Sequence, residues 1–314
     1  MQKTAVVTGA AQGIGNAVAI KLLSEGYDLA LCDVNGEALS NAEDQMKSRF
    51  PSRRVTSMRC DVSIREDVRR FRNAVVDEHQ TDSIEMLVNN AGIVGGVSFF
   101  VDSEEHWLKT FDVCWNGVYN CTREFRSNLV AAELAHIVNI SSANGYWASS
   151  SFNTPLSAYS TAKFAVKGFT ESLLVDSRLY ARNIKPVLVM LGQVSTRLSG
   201  NSASYLGLKQ PTDMSEDELM AVQRTTVDPM RSMPISEFRN ALQNSLFGEN
   251  SSAPTTPKQA AQEIWKAIER DEWRVVVGPG ARLLDSAVRA DPDSAYEEGF
   301  ITKLIQERDA AVET

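Results

Sequence analysis

Tyr159 and Lys163 stand four residues apart in Ala158-Tyr159-Ser160-Thr161-Ala162-Lys163. On a helix that spacing puts both side chains on one face. A tyrosine titrates near pH 10, so forming a phenolate at neutral pH has to be made easier by roughly 3 units, about 4 kcal/mol. A cation within a few ångströms, in a partly desolvated site, supplies much of that. Such a phenol can take the proton of an alcohol, or return one to a carbonyl oxygen, while a hydride moves elsewhere. Ser142, just past the strand-like run Ile137 to Ser141, is a donor to the same oxygen. Spacing alone is weak ground, because by composition about one chain in two of this length carries a Tyr and a Lys so placed. This chain carries a second copy, Tyr205 and Lys209. The copy lies in a stretch without helical periodicity and without a serine at a preceding strand end. It therefore reads as a surface loop, and Tyr159/Lys163 as the functional pair.

Hydride chemistry needs a carrier, and the N-terminus offers a place for one. Thr8-Gly9-Ala10-Ala11-Gln12-Gly13-Ile14-Gly15 follows a strand-like run and precedes a helix-like one. Glycines at 9, 13 and 15 let the backbone turn sharply and approach a pyrophosphate closely. The N–H groups and the positive dipole end of the following helix then face that anion. The spacing is TGxxxGxG rather than GxGxxG. Asp33 closes the second strand eighteen residues after Gly15. There a dinucleotide-binding sheet sets an acid against the adenosine ribose hydroxyls. The carboxylate would repel a 2′-phosphate. Val34, Asn35 and Gly36 follow without a cation, and Gln12 stands where a cation would help bind that phosphate. NAD is favoured over NADP. A plainer role for Asp33, as N-cap of the next helix, fits the same residue.

The elements that must position these groups alternate. Thr4 to Val7, Asp28 to Cys32, Glu85 to Val88, His136 to Ile140 and Pro186 to Met190 read as strands, apolar throughout, as a sheet covered on both faces requires. Helical patterns fill about 13–25, 35–48, 65–79, 103–131 and 158–182, the first ending at Gly26. Strand and helix in alternation imply an α/β fold, a doubly wound parallel sheet with right-handed crossovers. Arg274 to Val277 adds a last strand. Residues 197–257 break the rhythm and read as a substrate-side insertion on a domain spanning 1–280. Residues 281–314 read as a polar helical extension.

Composition narrows the class of function. The 314 residues, 43% hydrophobic, suffice for one large core. A net charge of -8 argues against a nucleic-acid surface. Cys32, Cys60, Cys114 and Cys121 form no CxxC pair, so neither a disulfide framework nor a metal site is implied. No signal-peptide core opens the chain, and no apolar run reaches roughly 18 residues, which points away from the membrane and to the cytoplasm. His79, His106 and His136 have no partner spacing and read as structural.

Taken together and in this order, the motifs resemble those of the short-chain dehydrogenase/reductase family across roughly residues 3–196. They are the glycine turn, Asp61-Val62, Asn89-Asn90-Ala91-Gly92, Ile140-Ser141-Ser142 and Tyr159/Lys163. The resemblance implies a Rossmann-type fold, NAD as cofactor and Ser142, Tyr159 and Lys163 as catalytic residues. It also implies that Asp61 and Val62 meet the adenine, that Asn90, Ala91 and Gly92 line the cofactor, and that Val194 and Thr196 reach the nicotinamide end. Assembly as a homodimer or homotetramer is implied too, through the outer faces of helices 103–131 and 158–182, with Phe125, Leu129, Phe169 and Leu173 as candidate contacts.

Two positions depart from the family's pattern. Leu191 stands where proline is usual, so the loop after it is expected to differ slightly. Counted from Trp107 and back from Gly117, the usual active-site asparagine is replaced by Cys114. Asn116 lies two residues on, about 200° round the helix. Trp107, Phe111, Cys114 and Val118 share one stripe, which turns Cys114 inward. A packing role and a chemical one remain open for it. The substrate is expected above the strand ends near Val94, Ser142, Asn144, Tyr146, Trp147 and Gln193. The apolar residues of 204–247, Tyr205 among them, fit either a mobile lid or ordinary packing. No cationic cluster marks an anionic substrate, so a moderately apolar alcohol or ketone is expected. Two other functions suit the same residues. One is a lyase or epimerase retaining NAD, and the other a non-catalytic NAD-binding regulator.

Overall fold

The computed structural model describes residues 3–151, 154–226, 229–247 and 253–312. Its apolar runs become strands because both faces of each are covered. The main sheet is built from β1 (Lys3–Thr8), β2 (Tyr27–Asp33), β3 (Val55–Arg59), β4 (Met86–Asn89), β5 (Ala135–Ser142), β8 (Ile184–Leu191) and β9 (Arg274–Val277). Between β5 and β8 lies a two-stranded hairpin, β6 (Ser149–Ser151) with β7 (Thr154–Pro155). The main sheet runs β3-β2-β1-β4-β5-β8-β9, and every pairing in it is parallel. This is the Rossmann-type doubly wound sheet that the alternation implied. The strand order reverses between β1 and β4, where such sheets open a crevice at the carboxyl ends of the strands.

One face is covered by α1 (Gly13–Ser24), α2 (Gly36–Arg49) and, much later in the chain, α11 (Pro257–Glu269). Val18, Leu22, Leu39, Met46 and Ile264 are inserted there. The other face carries α3 (Arg65–His79) and a long segment broken into α4 (Glu104–Phe111), a π-helical turn Asp112–Asn116, α5 (Gly117–Glu124) and α6 (Arg126–Ala131). It is completed by α7 (Ser157–Tyr180). The expected single helix over 103–131 is therefore segmented. The π turn shifts the phase at Cys114, and the chain breaks again at Phe125. Phe125 and Leu129, expected to face a second subunit, are wholly buried in this core. The exposed apolar residues of these helices are others, among them Leu179 at 64% and Tyr180 at 82% exposure.

Three further readings change. β3 went unread because its TSMR run alternates poorly and lies at the sheet edge, with only Val55 fully buried. The insertion is largely helical: α8 (Leu198–Tyr205), α9 (Glu216–Thr225) and α10 (Ile235–Phe247). Leu219, Phe238 and Leu242 form a small core of their own, so that part is ordinary packing rather than loose lid. Finally, α12 (Pro279–Ala290) runs through the expected boundary at 280, and α13 (Phe300–Val312) follows. Both Tyr146 and Trp147, expected near substrate, are occupied with this extension. Tyr146 Oη donates to Ala281 O at 2.8 Å and Trp147 Nε1 to Ala295 O at 2.8 Å. They are buried with Leu188, Met190 and Val288 in a satellite core. The extension is docked against the sheet rather than trailing from it.

Candidate active site

The glycine turn is shaped by close approach. Gly9 has φ +64°, and a Cβ on it would lie 2.8 Å from Ala91 Cα. A Cβ on Gly15 would lie 2.1 Å from Gly9 O. Thr8 and Asn90 tie this turn to the end of β4. Thr8 Oγ1 accepts from the backbone N–H groups of Asn90 and Ala91, each at 3.0 Å. The Asn90 amide donates to Thr8 O and Gly9 O, each at 3.0 Å. Gln12, at the N-cap of α1, makes no side-chain capping bond. The first donors of α1 are thus left for an anion, as a phosphate cradle requires.

Asp33 is no helix cap. Asn35 caps α2 by accepting from Ala38 N. Asp33 Oδ2 instead accepts from Ala11 N at 3.1 Å inside the turn, and its Oδ1 accepts from Asn35 N. The absence of a neighbouring cation holds along the chain but not across the sheet. Unread β3 pairs Arg59 with Asp33, and Arg59 Nε donates to Val34 O at 3.1 Å.

On the far side of the crevice, β5 and α7 bring up the second set of groups. Asn89, Asn139 and Thr170 form a buried chain of hydrogen bonds behind them, Asn89 to Asn139 at 2.8 Å and Asn139 to Thr170 at 2.9 Å. Lys163 is 3% exposed, and its Nζ donates to Ile140 O at 2.8 Å while standing 5.4 Å from the Tyr159 ring centre. Burial pushes the Tyr159 phenol well above its usual range, the neighbouring Cys114 adds to this, and a hydrogen bond with Ser142 opposes it. Burial draws Lys163 down. Both groups are held toward their neutral forms.

Cys114 points inward, as its stripe implied. Its thiol donates to Ile93 O at 3.1 Å and accepts from Ile93 N at 3.4 Å. A Cβ on Gly92 would lie 3.6 Å from both Cys114 Sγ and Lys163 Nζ. Asn116 turns away to Asp112. Leu191 continues β8 in register with Val277, so the strand simply extends where proline was usual.

One cleft of about 490 Å³ joins the two sides. Gly9, Gln12, Gly13, Ile14, Asp33, Asp61, Val62, Asn90, Ala91 and Gly92 line it, as do Tyr159, Lys163 and Thr196. Thr196 stands against Gly13 and Lys163 against Gly92. Gly15 lies behind the turn, and Val194 is buried in a bridge to Thr255. Besides these two, four more expected residues are outside the wall. Ser142 sits one residue beyond the lining Ser141. The Val94 backbone donates to Ser202, the Asn144 amide is spent on Ser149 O, and Gln193 is exposed. The wall also holds Ser204 and Tyr205 of α8. Tyr205, read as a surface residue, donates to Asp61 Oδ2 at 2.9 Å. No local signal announces a contact between residues 144 positions apart.

A family model described as short chain dehydrogenase matches residues 3–206. SadH of Mycobacterium tuberculosis, provisionally named an oxidoreductase, is 32% identical over 291 residues, 91% of this chain and 90% of its own length. A short chain dehydrogenase/reductase from Burkholderia phymatum, solved in complex with NAD, superposes with a TM-score of 0.71 at 25% identity. The match covers 92% of this chain and 95% of that one. A metagenomic short-chain oxidoreductase in complex with NADP is 29% identical, with a TM-score of 0.53 over 61% of this chain and 82% of that one.

The closeness of the turn makes Gly15 a direct probe of the cradle. Gly15→Ala puts a methyl group against Gly9 O, where nothing flexible can yield. The variant should lose about 1–3 kcal/mol of stability and its dinucleotide binding, read by thermal unfolding and calorimetry. Wild-type affinity in that variant would remove the turn from the site.

Proposed function

The chain belongs to the short-chain dehydrogenase/reductase family, and from that premise we propose that it is an NAD-dependent oxidoreductase interconverting a moderately apolar alcohol and its ketone or aldehyde, with Tyr159 as general acid/base. One observation carries the reading: a single cleft takes its walls from the glycine turn and from Tyr159 and Lys163. The uncapped donors of α1 and the side-chain-free approach at Gly9 suit a pyrophosphate. A bound nicotinamide dinucleotide supplies the hydride donor or acceptor. Tyr159, protonated at neutral pH, gives its proton to a carbonyl oxygen in reduction. In oxidation it must first lose that proton, which the ammonium of Lys163 favours. Ser142, whose hydroxyl bonds Asn144 at the end of β5, shares the substrate oxygen. Lys163 has three donors and uses one on Ile140 O, leaving others for the ribose hydroxyls and the phenol. Ile93, Val113 and Leu191 make the adjoining wall apolar. Among the described residues no helix is long and apolar enough to cross a membrane. The four free, buried thiols suit a reducing compartment such as the cytoplasm.

Tyr159→Phe keeps the ring and removes the titrating oxygen. Turnover should fall by roughly 10² to 10⁴ while NAD binding persists. Because burial raises the phenol, oxidation by the unaltered protein should climb with pH from neutral into the alkaline range, while reduction should hold level there because the phenol stays protonated. The climb should vanish in the variant. Retention of most activity by Tyr159→Phe would refute the role, and turnover without net redox change would move the reading to a lyase or epimerase.

Cofactor choice is separately testable. The Asp33 carboxylate faces the cleft, so NAD should bind at least tenfold tighter than NADP, about 1.4 kcal/mol. Asp33→Ala should narrow the gap, and adding Arg59→Ala should restore part of it by removing the cation paired with Asp33 across the strands. Calorimetry showing tighter NADP binding by the unaltered protein would reverse the assignment.

We also propose a homodimer or homotetramer through the outer faces of α4 to α7. There Phe164, Val175, Leu179 and Tyr180 leave apolar surface in water. Light scattering at micromolar concentration should give a multiple of 34.6 kDa, and a monomer mass would exclude it.

A further inference from the structure

The catalytic pair and the glycine turn leave one feature of the cleft without a role. Helix α8 contributes Leu198, Asn201, Ser204 and Tyr205 to the wall of the cleft. It is firmly held, because Ser202 is fully buried and its hydroxyl accepts from Val94 N at 2.8 Å. Leu206, just past its end, packs into the core beneath α7. The last residue of α8, Tyr205, is half-buried with its ring in that core and its hydroxyl on Asp61.

Asp61 is a carboxylate with two distinct edges. Its Oδ1 accepts from Ser63 N at 3.0 Å and from Ser63 Oγ at 2.6 Å. Its Oδ2 accepts from Tyr205 Oη at 2.9 Å. An ionised carboxylate offers about four acceptor positions. Ser63 takes two and Tyr205 one, so an acceptor remains on Oδ2, in a cleft that Asp61 and Val62 line together. Tyr205 cannot serve as a second acid/base. Burial and the adjacent Asp61 push its phenol up to about 12, so it is a fixed donor at neutral pH. A planar base lying against Val62 would meet an acceptor of fixed direction, suited to an exocyclic amino group and unsuited to a carbonyl oxygen in its place.

Resting on the cofactor reading above, we propose that Tyr205 is a positioning residue for the adenine end of the dinucleotide, holding the Asp61 carboxylate so that its free acceptor selects a 6-amino purine. Tyr205 touches no reacting atom and acts through Asp61. The insertion thereby helps build the cofactor site itself and does more than cover a substrate.

The test compares three ligands on the full-length protein. They are NAD, its hypoxanthine analogue with a 6-oxo group, and nicotinamide mononucleotide, which has no purine. The unaltered protein should prefer NAD to the hypoxanthine dinucleotide by about tenfold. Tyr205→Phe keeps the ring packing and should lower that preference to about two- or threefold, mostly by weakening NAD. The mononucleotide should bind both proteins alike. Asp61→Asn should lower the preference similarly, and the double variant should lose no more than the larger single loss. A merely structural Tyr205 would weaken all three ligands in proportion and leave the preference unchanged, which overturns the proposal. Tighter NAD binding by Tyr205→Phe would overturn it too, because Tyr205 would then compete with the base for Asp61. Failure of the unaltered protein to bind either dinucleotide would remove the proposal along with the cofactor reading.

Discussion

The hydroxyl of Thr8 receives two backbone donors from the chain after β4, and the Asn90 amide returns two bonds to the chain after β1. These four bonds join segments more than eighty residues apart at the point where the strand order reverses. They allow the glycine turn to come within van der Waals contact of Ala91, and they set the entry of α1. A side chain on Gly9 or Gly15 would part the segments and destroy the cradle. The first donors of α1, the acid at the end of β2 and the wall formed by residues 90–92 all take their positions from this junction.

At the other end of the cleft, packing and chemistry pull in opposite directions. Tyr159 and Lys163 are buried, and burial favours the neutral form of each. The oxidation proposed above would use their charged forms, the phenolate and the ammonium. The site is therefore held in readiness by its frame: the Asn89–Asn139–Thr170 chain fixes β4, β5 and α7 laterally, and Ile140 O fixes Lys163. Cys114 completes the frame with two weak sulfur bonds to Ile93, from a π turn that swings it inward. A thiol makes weaker hydrogen bonds than an amide would in that place. The strut opposite Lys163 is softer for it, and the lysine is held mainly by the strand.

Much of this was legible in the sequence where the signal is local or periodic. The glycine turn, the acid closing β2, the buried strands and the Tyr159/Lys163 helix all declare themselves within a few residues. What escaped depends on contacts between distant segments or on edges. β3 is half-exposed, so it lacks the apolar run that marked its neighbours, and with it went Arg59. The helix α8 is rich in Ser, Asn and Gly, which disguises helical periodicity. Tyr205 looked like a stray copy of a motif because its partner is Asp61. Tyr146 and Trp147 come four and five residues after Ser142, which suggested substrate contact. Their polar atoms instead serve carbonyls of the C-terminal extension.

That docking bears on how the molecule comes into being. Strand β8 meets its outer neighbour β9 only after the whole insertion and α11 have been made. Tyr146 and Trp147 wait longer still for Ala281 and Ala295. During synthesis the apolar side chains of Leu188 and Met190 lack these partners until residues 274–295 have been made. Pairings so distant along the chain are slow to form, since the intervening loop must first be closed. The nascent chain thus carries an open, aggregation-prone sheet edge over that interval of translation.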